Sequence, residues 1–324
     1  MEKDYLIKGH FDGIPIISTF YSHPLDRNTY YVDSSTVLID RQGIRHLFFG
    51  HSGKKCFDEA ILISRIEILE RVMASPLANL SMKPLLFSNY LDPTVTRIML
   101  AKDYLIRNGN PLIGTTGLGA HSKSNLAEQH AILEMLERHI LCEIWYKDRK
   151  IRKIGSRENL PLEYFIDYYT TLQASPFILA VLQNKNLPIF LCGSSLKENQ
   201  SDALMSSRIE ALMLAGNFLC KSSSDTSNNI LSLKRMRNLC TSAVLNKLRY
   251  FLIKVSNLPP TKINYQKYDI MEICKAIQFP FETIYTCPIK KRQSLILYRA
   301  YSSYALTKEK SRIQYPYLEE DPFC

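Results

Sequence analysis

GTTGLGAHSKSNLAEQHAILEMLER, Gly114 to Arg138, is the stretch on which this chain is read. Gly114, Gly117 and Gly119 make a small-residue turn, and the residues after it carry the apolar period of a helix. Leu126, Leu133, Leu136, Ile140 and Ile144 form the face expected to be buried. Asn125 with Glu128 three residues later fits a capping-box variant, so the helix is predicted from Asn125 to about Trp145. Glu134, Glu137 and Arg138 ride on it. The same Glu-x-x-Glu-Arg occurs once earlier, as Glu67, Glu70 and Arg71. There Ile61, Leu62, Ile66, Leu69, Val72 and Met73 recur at helical spacing from Asp58 to about Met73. Ser64, Glu67 and Arg71 are placed together on another face.

Glutamates at i,i+3 share one helix face and repel, and a purely structural helix usually offsets them with lysine at i+4. Here the i+4 residues are Arg71, Ala74, Arg138 and Leu141. A solvated face with local ion pairs accounts for one such segment taken alone. Its recurrence, once behind a glycine turn, points instead to a ligand. Four carboxylates and two guanidiniums suit a hard cation carrying phosphate, such as Mg2+. A di-iron centre would need Glu-x-x-His on a helix, which neither segment has. The chain also lacks a Walker A run, the Rossmann spacing G-x-G-x-x-G and a G-x-S-x-G elbow.

Composition bounds the rest. At 46% hydrophobic and 22% charged over 324 residues, the chain is a packed globular protein rather than a disordered one. A net charge of +10 favours anionic partners. Nucleic acid is a remote reading, since no interleaved aromatic and basic motif supports it. The eight cysteines never fall in C-x-x-C spacing and read as free thiols of a reducing cytosol. MEKDYLIKGHFDG is too polar for a signal peptide, and no apolar run approaches the ~20 residues of a membrane helix. A cytoplasmic protein without a membrane partner is expected.

Along the chain, residues 13–21, 30–32 and 35–39 read as strands, and HLFFGHSGKK (46–55) ends a strand in a basic turn. Residues 96–108 are predicted helical, closed by Asn108-Gly109. Strands follow at 176–182 and 188–192, then a helix at 201–220 and a loop at 221–229. A helix over 231–255, broken by Pro259-Pro260, and strands near 274–285 complete the chain. No fixed-period repeat is apparent. The expectation is one α/β (α+β) domain over residues 1–324, with mixed sheets packed against helices.

These residues resemble the YcaO superfamily, whose members use ATP to activate peptide backbone amides. The match is specific in two places: Thr115-Thr116-Gly117-Leu118-Gly119-Ala120 with His130 and Glu134-x-x-Glu137-Arg138, and Glu67, Glu70 and Arg71 preceded by Gly53-Lys54. There are departures. Ile63 stands where the family has serine, with Ser64 adjacent; His121 stands for glycine and His139 for aspartate. Ser206 replaces the arginine of an Arg-x-x-x-Glu that leaves Glu210, while Arg208 falls on a different helix face. The tail from Pro316 ends in Cys324 where azoline-forming members often end in proline.

The resemblance implies carboxylate-bearing helices around a nucleotide site, with ATP and Mg2+ as cofactors. Glu67, Glu70, Glu134 and Glu137 would hold the metal, and Glu67, Glu134 and Arg138 would carry catalysis. Arg71 and Arg138 would clamp phosphate or orient the glutamates. Gly53, Lys54, Thr116 and Gly117 are candidates for phosphate contact, with tight turns and a surface lysine as the alternative. Ser64, His130 and Glu210 complete the nucleotide set, although a lone helical histidine is as often structural. The implied reaction is kinase-type phosphorylation of an amide oxygen, giving azolines from Cys, Ser or Thr of a precursor peptide, or thioamides or amidines in relatives. Implied partners are that peptide, a separate leader-recognition protein (ThiF-like or a small winged-helix element) or a sulfur-delivery protein, and a second copy in a homodimer. A degenerate scaffold subunit is the alternative.

Overall fold

A computed structural model describes residues 5–75, 84–100, 115–173, 175–187, 189–221, 259–292 and 295–315. Its strands form three antiparallel sheets, so the α+β form of the expectation is what the chain adopts. The first sheet is a meander, β1 (Tyr5–Phe11), β2 (Ile14–His23), β3 (Asp26–Ile39) and β4 (Arg45–Lys54), in that order. The second runs in the order β11 (Phe190–Leu196), β10 (Phe177–Asn184), β9 (Tyr164–Thr171) and β8 (Ile151–Asn159). The third runs β6 (Thr96–Met99), β5 (Leu85–Asn89), β12 (Tyr285–Arg292), β13 (Leu295–Tyr301) and β7 (Leu118–His121). The helices are α1 (Phe57–Met73), α2 (Ser124–Tyr146), α3 (Gln200–Lys221), α4 (Ile270–Ile277) and α5 (Lys308–Gln314).

Contacts group the chain into two compact units. One comprises Met1–Ser22, Asn28–His139 and Gln278–Gln314; the other comprises His23–Arg27, Ile140–Ile277 and Tyr315–Cys324. The first unit's core draws Ile14 and Ile16 from β2, Ile68, Leu69 and Val72 from α1, Phe87 from β5, Leu118 from β7 and Leu297 from β13. In the second unit every residue of β9 is buried, and α3 packs on β10 and β11 with Ala203, Ser207, Ala211 and Ala215 inward.

The three long helices fall where the apolar period puts them, and α2 buries Leu133, Leu136, Ile140 and Ile144. Four readings are corrected. Thr96–Met99 is a strand paired with β5, not the start of a helix; only Met99 of its four residues is buried. Helix α2 begins at Ser124, and Glu128 accepts a hydrogen bond from the Thr286 hydroxyl, so no capping box closes on Asn125. Cys274 lies on α4, and the strand begins only at Tyr285. Gly53 and Lys54 belong to β4, opposite Tyr31 and Tyr30, rather than to a turn. Of the loop read at 221–229, Lys221 ends α3 and the rest lies outside the described residues, as do 101–108 of the helix read at 96–108, the helix read at 231–255 and the tail 316–324.

Candidate active site

Helix α1 meets the first sheet at β4, where Gly50 lies so close that a Cβ would overlap the Ser64 carbonyl oxygen. That approach aims the α1 face bearing Glu67 at the strand. The His51 N–H donates to Glu67 Oε2 at 2.6 Å, and Arg71 pairs with Glu67 Oε1. Arg71 also donates to the Phe49 carbonyl at 2.8 Å, so it orients its neighbouring glutamate and straps α1 to β4. Ser64 is fully buried between Ala60 and Ile68. Its hydroxyl joins Ser34 at 2.7 Å and Ser34 joins Ser18 at 2.8 Å, so it faces the sheet and not the Glu67 face. Ile63, beside it, is exposed.

The second acid helix is built the same way. Thr115 to Leu118 forms a turn closed by Leu118 N–H to Thr115 O at 3.1 Å, with Gly117 at φ +79°. A Cβ there would meet the Ala300 carbonyl oxygen at 2.5 Å, so both conformation and space call for glycine. The N–H groups of Gly117 and Leu118 both donate to Glu134 Oε2, the latter at 2.9 Å. Arg138 Nε lies 3.9 Å from Glu134 Oε1. Thr116 is half-buried in the turn, and His130 is exposed on α2 with its ring edge-on to His121 at 5.6 Å.

The two helices share one electrostatic field. Burial, then the charges of Glu134 and Glu67, push the Glu70 carboxyl up to about 8, against the pull of Arg71 and the Ala120 N–H. Burial likewise lifts Glu134 to about 7, with Glu137 adding to it while Arg138 and Arg299 oppose. Glu67, Glu70, Glu134 and Glu137 are therefore coupled within the first unit. Among the described residues, though, no three His, Cys, Asp or Glu side chains converge enough to hold a metal ion by themselves. The donor set still fits Mg2+. This ion keeps several waters and takes one or two carboxylates plus phosphate oxygens, and carboxylates held up at 7 to 8 gain most from an added cation.

The remaining candidates have partners of their own. Lys54 pairs with Glu59 at 3.2 Å on the surface. His139 is buried, accepting the Leu306 N–H at 3.1 Å with Phe279 edge-on. In the second unit Glu210 accepts the Ser194 N–H at 2.6 Å, and Arg208 bridges Asp26 and Glu158 at 2.7 and 2.9 Å. One residue of the site was missed from sequence. Arg299, 8% exposed, occupies an inward position of β13 after Leu295 and Leu297, directly opposite Leu118. A charge at the inward position of an alternating strand was the available signal.

No protein-family model and no curated protein matches the sequence. Solved structures do. The structure of YcaO from Methanopyrus kandleri bound with AMPPCP and Mg2+ matches with a TM-score of 0.62 at 9% identity, over 94% of this chain and 89% of that one. A chain of the E. coli microcin synthetase McbBCD complex matches with 0.64 at 14%, over 94% and 96%. One from that synthetase with pro-MccB17 bound matches with 0.63 at 16%, over 95% and 96%. No described helix is long and apolar enough to cross a membrane. The architecture of three sheets and their carboxylate-bearing helices is thus the YcaO fold.

Proposed function

We propose that this protein uses ATP and Mg2+ to activate backbone amides of a ribosomally made peptide, converting Cys, Ser or Thr to azolines. The observation that carries this is the pair of acid helices, in which backbone N–H groups and arginines fix Glu67 and Glu134 beside Glu70 and Glu137, and burial with like charge holds Glu70 and Glu134 above the usual carboxylate range. Half-buried carboxyls held above their usual range ionise more readily once a cation is bound beside them. The fold adds support, since a structure sharing it holds AMPPCP and Mg2+ and another holds pro-MccB17.

In the reaction, a side-chain thiol or hydroxyl of the substrate adds to the preceding carbonyl carbon and loses its proton. The oxyanion takes the γ-phosphoryl group of ATP, releasing ADP. The ring nitrogen then gives up its proton as the C–O bond breaks, leaving a C=N bond and inorganic phosphate. Glu70 and Glu137, with Glu67 and Glu134, would hold Mg2+, which supplies charge neutralisation to the phosphates. Glu67 and Glu134, fixed by backbone N–H groups, hold the arginines in register for transferring oxygens, so catalysis rests on positioning and charge. A leader-recognition protein or a sulfur-delivery protein would supply the second substrate contact, and a homodimer is the proposed assembly.

Glu134→Gln and Glu137→Gln should each lower peptide-dependent ATP hydrolysis by about 100-fold or more. Wild-type protein that binds no ATP with peptide and partner present would defeat the enzyme reading. It would favour the second one, a non-catalytic scaffold, for which the lack of a converged three-acid group among the described residues speaks.

A further inference from the structure

Among the described residues, three helices follow three strands that stand at the edges of their sheets. β4 ends the first sheet, β7 the third and β11 the second, and each leads within a few residues into α1, α2 or α3. An edge strand turns every second N–H away from its sheet, and such a group needs an acceptor from elsewhere. In all three places a glutamate of the following helix provides it. The donor follows a glycine (Gly50, Gly117, Gly193), and the acceptor stands sixteen residues after the donor. The bonds are His51 N–H to Glu67 at 2.6 Å, Leu118 N–H to Glu134 at 2.9 Å and Ser194 N–H to Glu210 at 2.6 Å.

The packing beneath recurs too. Three residues before each glutamate stands a small buried residue, Ser64, Ala131 or Ser207. A Cβ on Gly50 or Gly193 would overlap the carbonyl oxygen of Ser64 or Ser207. In the second case Gly119 takes this contact, against Ala127 and Ala131. Ser64 and Ser207 both turn their hydroxyls to the carbonyl three residues back, Ile61 and Leu204, at 2.9 and 3.0 Å. What differs is the decoration after the glutamate: Glu70-Arg71, Glu137-Arg138, and Met213-Leu214.

We infer that the described residues contain three copies of one strand–turn–helix carboxylate clamp, in which His51, Leu118 and Ser194 are positioning residues acting through their backbone N–H. Each fixes one carboxylate oxygen. The second oxygen of Glu67 meets Arg71 and that of Glu134 faces Arg138. Glu210, which its sequence context singled out least, is thereby held in the same way as the two acids of the site. The clamp stands on geometry alone; only its effect on nucleotide binding rests on the proposed function.

Amide hydrogen exchange on the ligand-free protein tests the clamp. In Glu210→Ala the Ser194 amide should exchange about tenfold faster, the loss of one hydrogen bond, while amides of β11 that face β10 stay unchanged. Glu67→Ala should do the same to His51. Unchanged exchange in both variants overturns the inference. Positioning is read from binding of AMPPCP with Mg2+. His51→Pro removes the N–H that fixes Glu67 and should bind about tenfold more weakly than wild type. Affinity equal to wild type overturns the positioning role. Wild type that binds no AMPPCP sinks the proposed function and leaves the exchange result to decide the clamp, as it does if His51→Pro fails to fold.

Discussion

Glu70 is the most burdened residue of the site, because burial and the like charges of Glu134 and Glu67 act on it together. A carboxylate raised above its unfolded value stabilises the fold fully below about pH 4.5. That contribution is lost as pH climbs through about 7 for Glu134 and about 8 for Glu70, when each must ionise in place. Glu70→Gln keeps an acceptor for the Ala120 N–H and never ionises. Its melting temperature should equal wild type near pH 4 and exceed it near pH 9 by a few degrees, about 1 kcal/mol. Differential scanning fluorimetry across that range checks it, and a constant difference at every pH would remove the charge argument. The alternation of Leu295, Leu297 and Arg299 shows how such detail hides: the pattern is visible in sequence, but its partner Leu118 lies far along the chain.

At the scale of elements, legibility followed how each one meets its neighbours. Helices α1, α2 and α3 bury one stripe and expose another, so their period survives in the sequence. β8 buries little beyond Ile151 and Ile154 and shifts register between Ile154 and Glu158, which erases its alternation. β9 is buried on both faces and has no alternation to show. Thr96–Met99 precedes LAKDYLIR, whose apolar spacing is helical, and the reading carried that period back over a strand of four residues. Glu67, Glu70, Glu134 and Glu137 were legible because spacing along one helix fixes their face. Ser64 was misplaced because a close strand, invisible in sequence, drew that stripe inward. Gly50 makes this contact possible, and Gly50→Ala should cost about 2–4 kcal/mol in urea unfolding as β4 is forced off α1. A loss below about 1 kcal/mol would show that the strand can shift freely.

The whole molecule is described as two units, and the four coupled carboxylates belong to one of them. A ligand that binds only the folded chain raises its stability by mass action, about 2.7 kcal/mol at one hundred times Kd. AMPPCP with Mg2+ should therefore raise the melting temperature in wild type and not in Glu134→Gln. AMPPCP with EDTA should give much less. Equal shifts with and without Mg2+ would argue against a metal-bridged phosphate site.

The glutamate caps on β4, β7 and β11 have a consequence for solubility. Open strand edges recruit other chains into continuous sheets, and cells that make an exposed one must chaperone it. Here one edge of each sheet carries a charged lid folded from the residues that come next in synthesis. Variants that remove these acids should therefore aggregate more readily on refolding than wild type, a cost separate from any effect on a ligand.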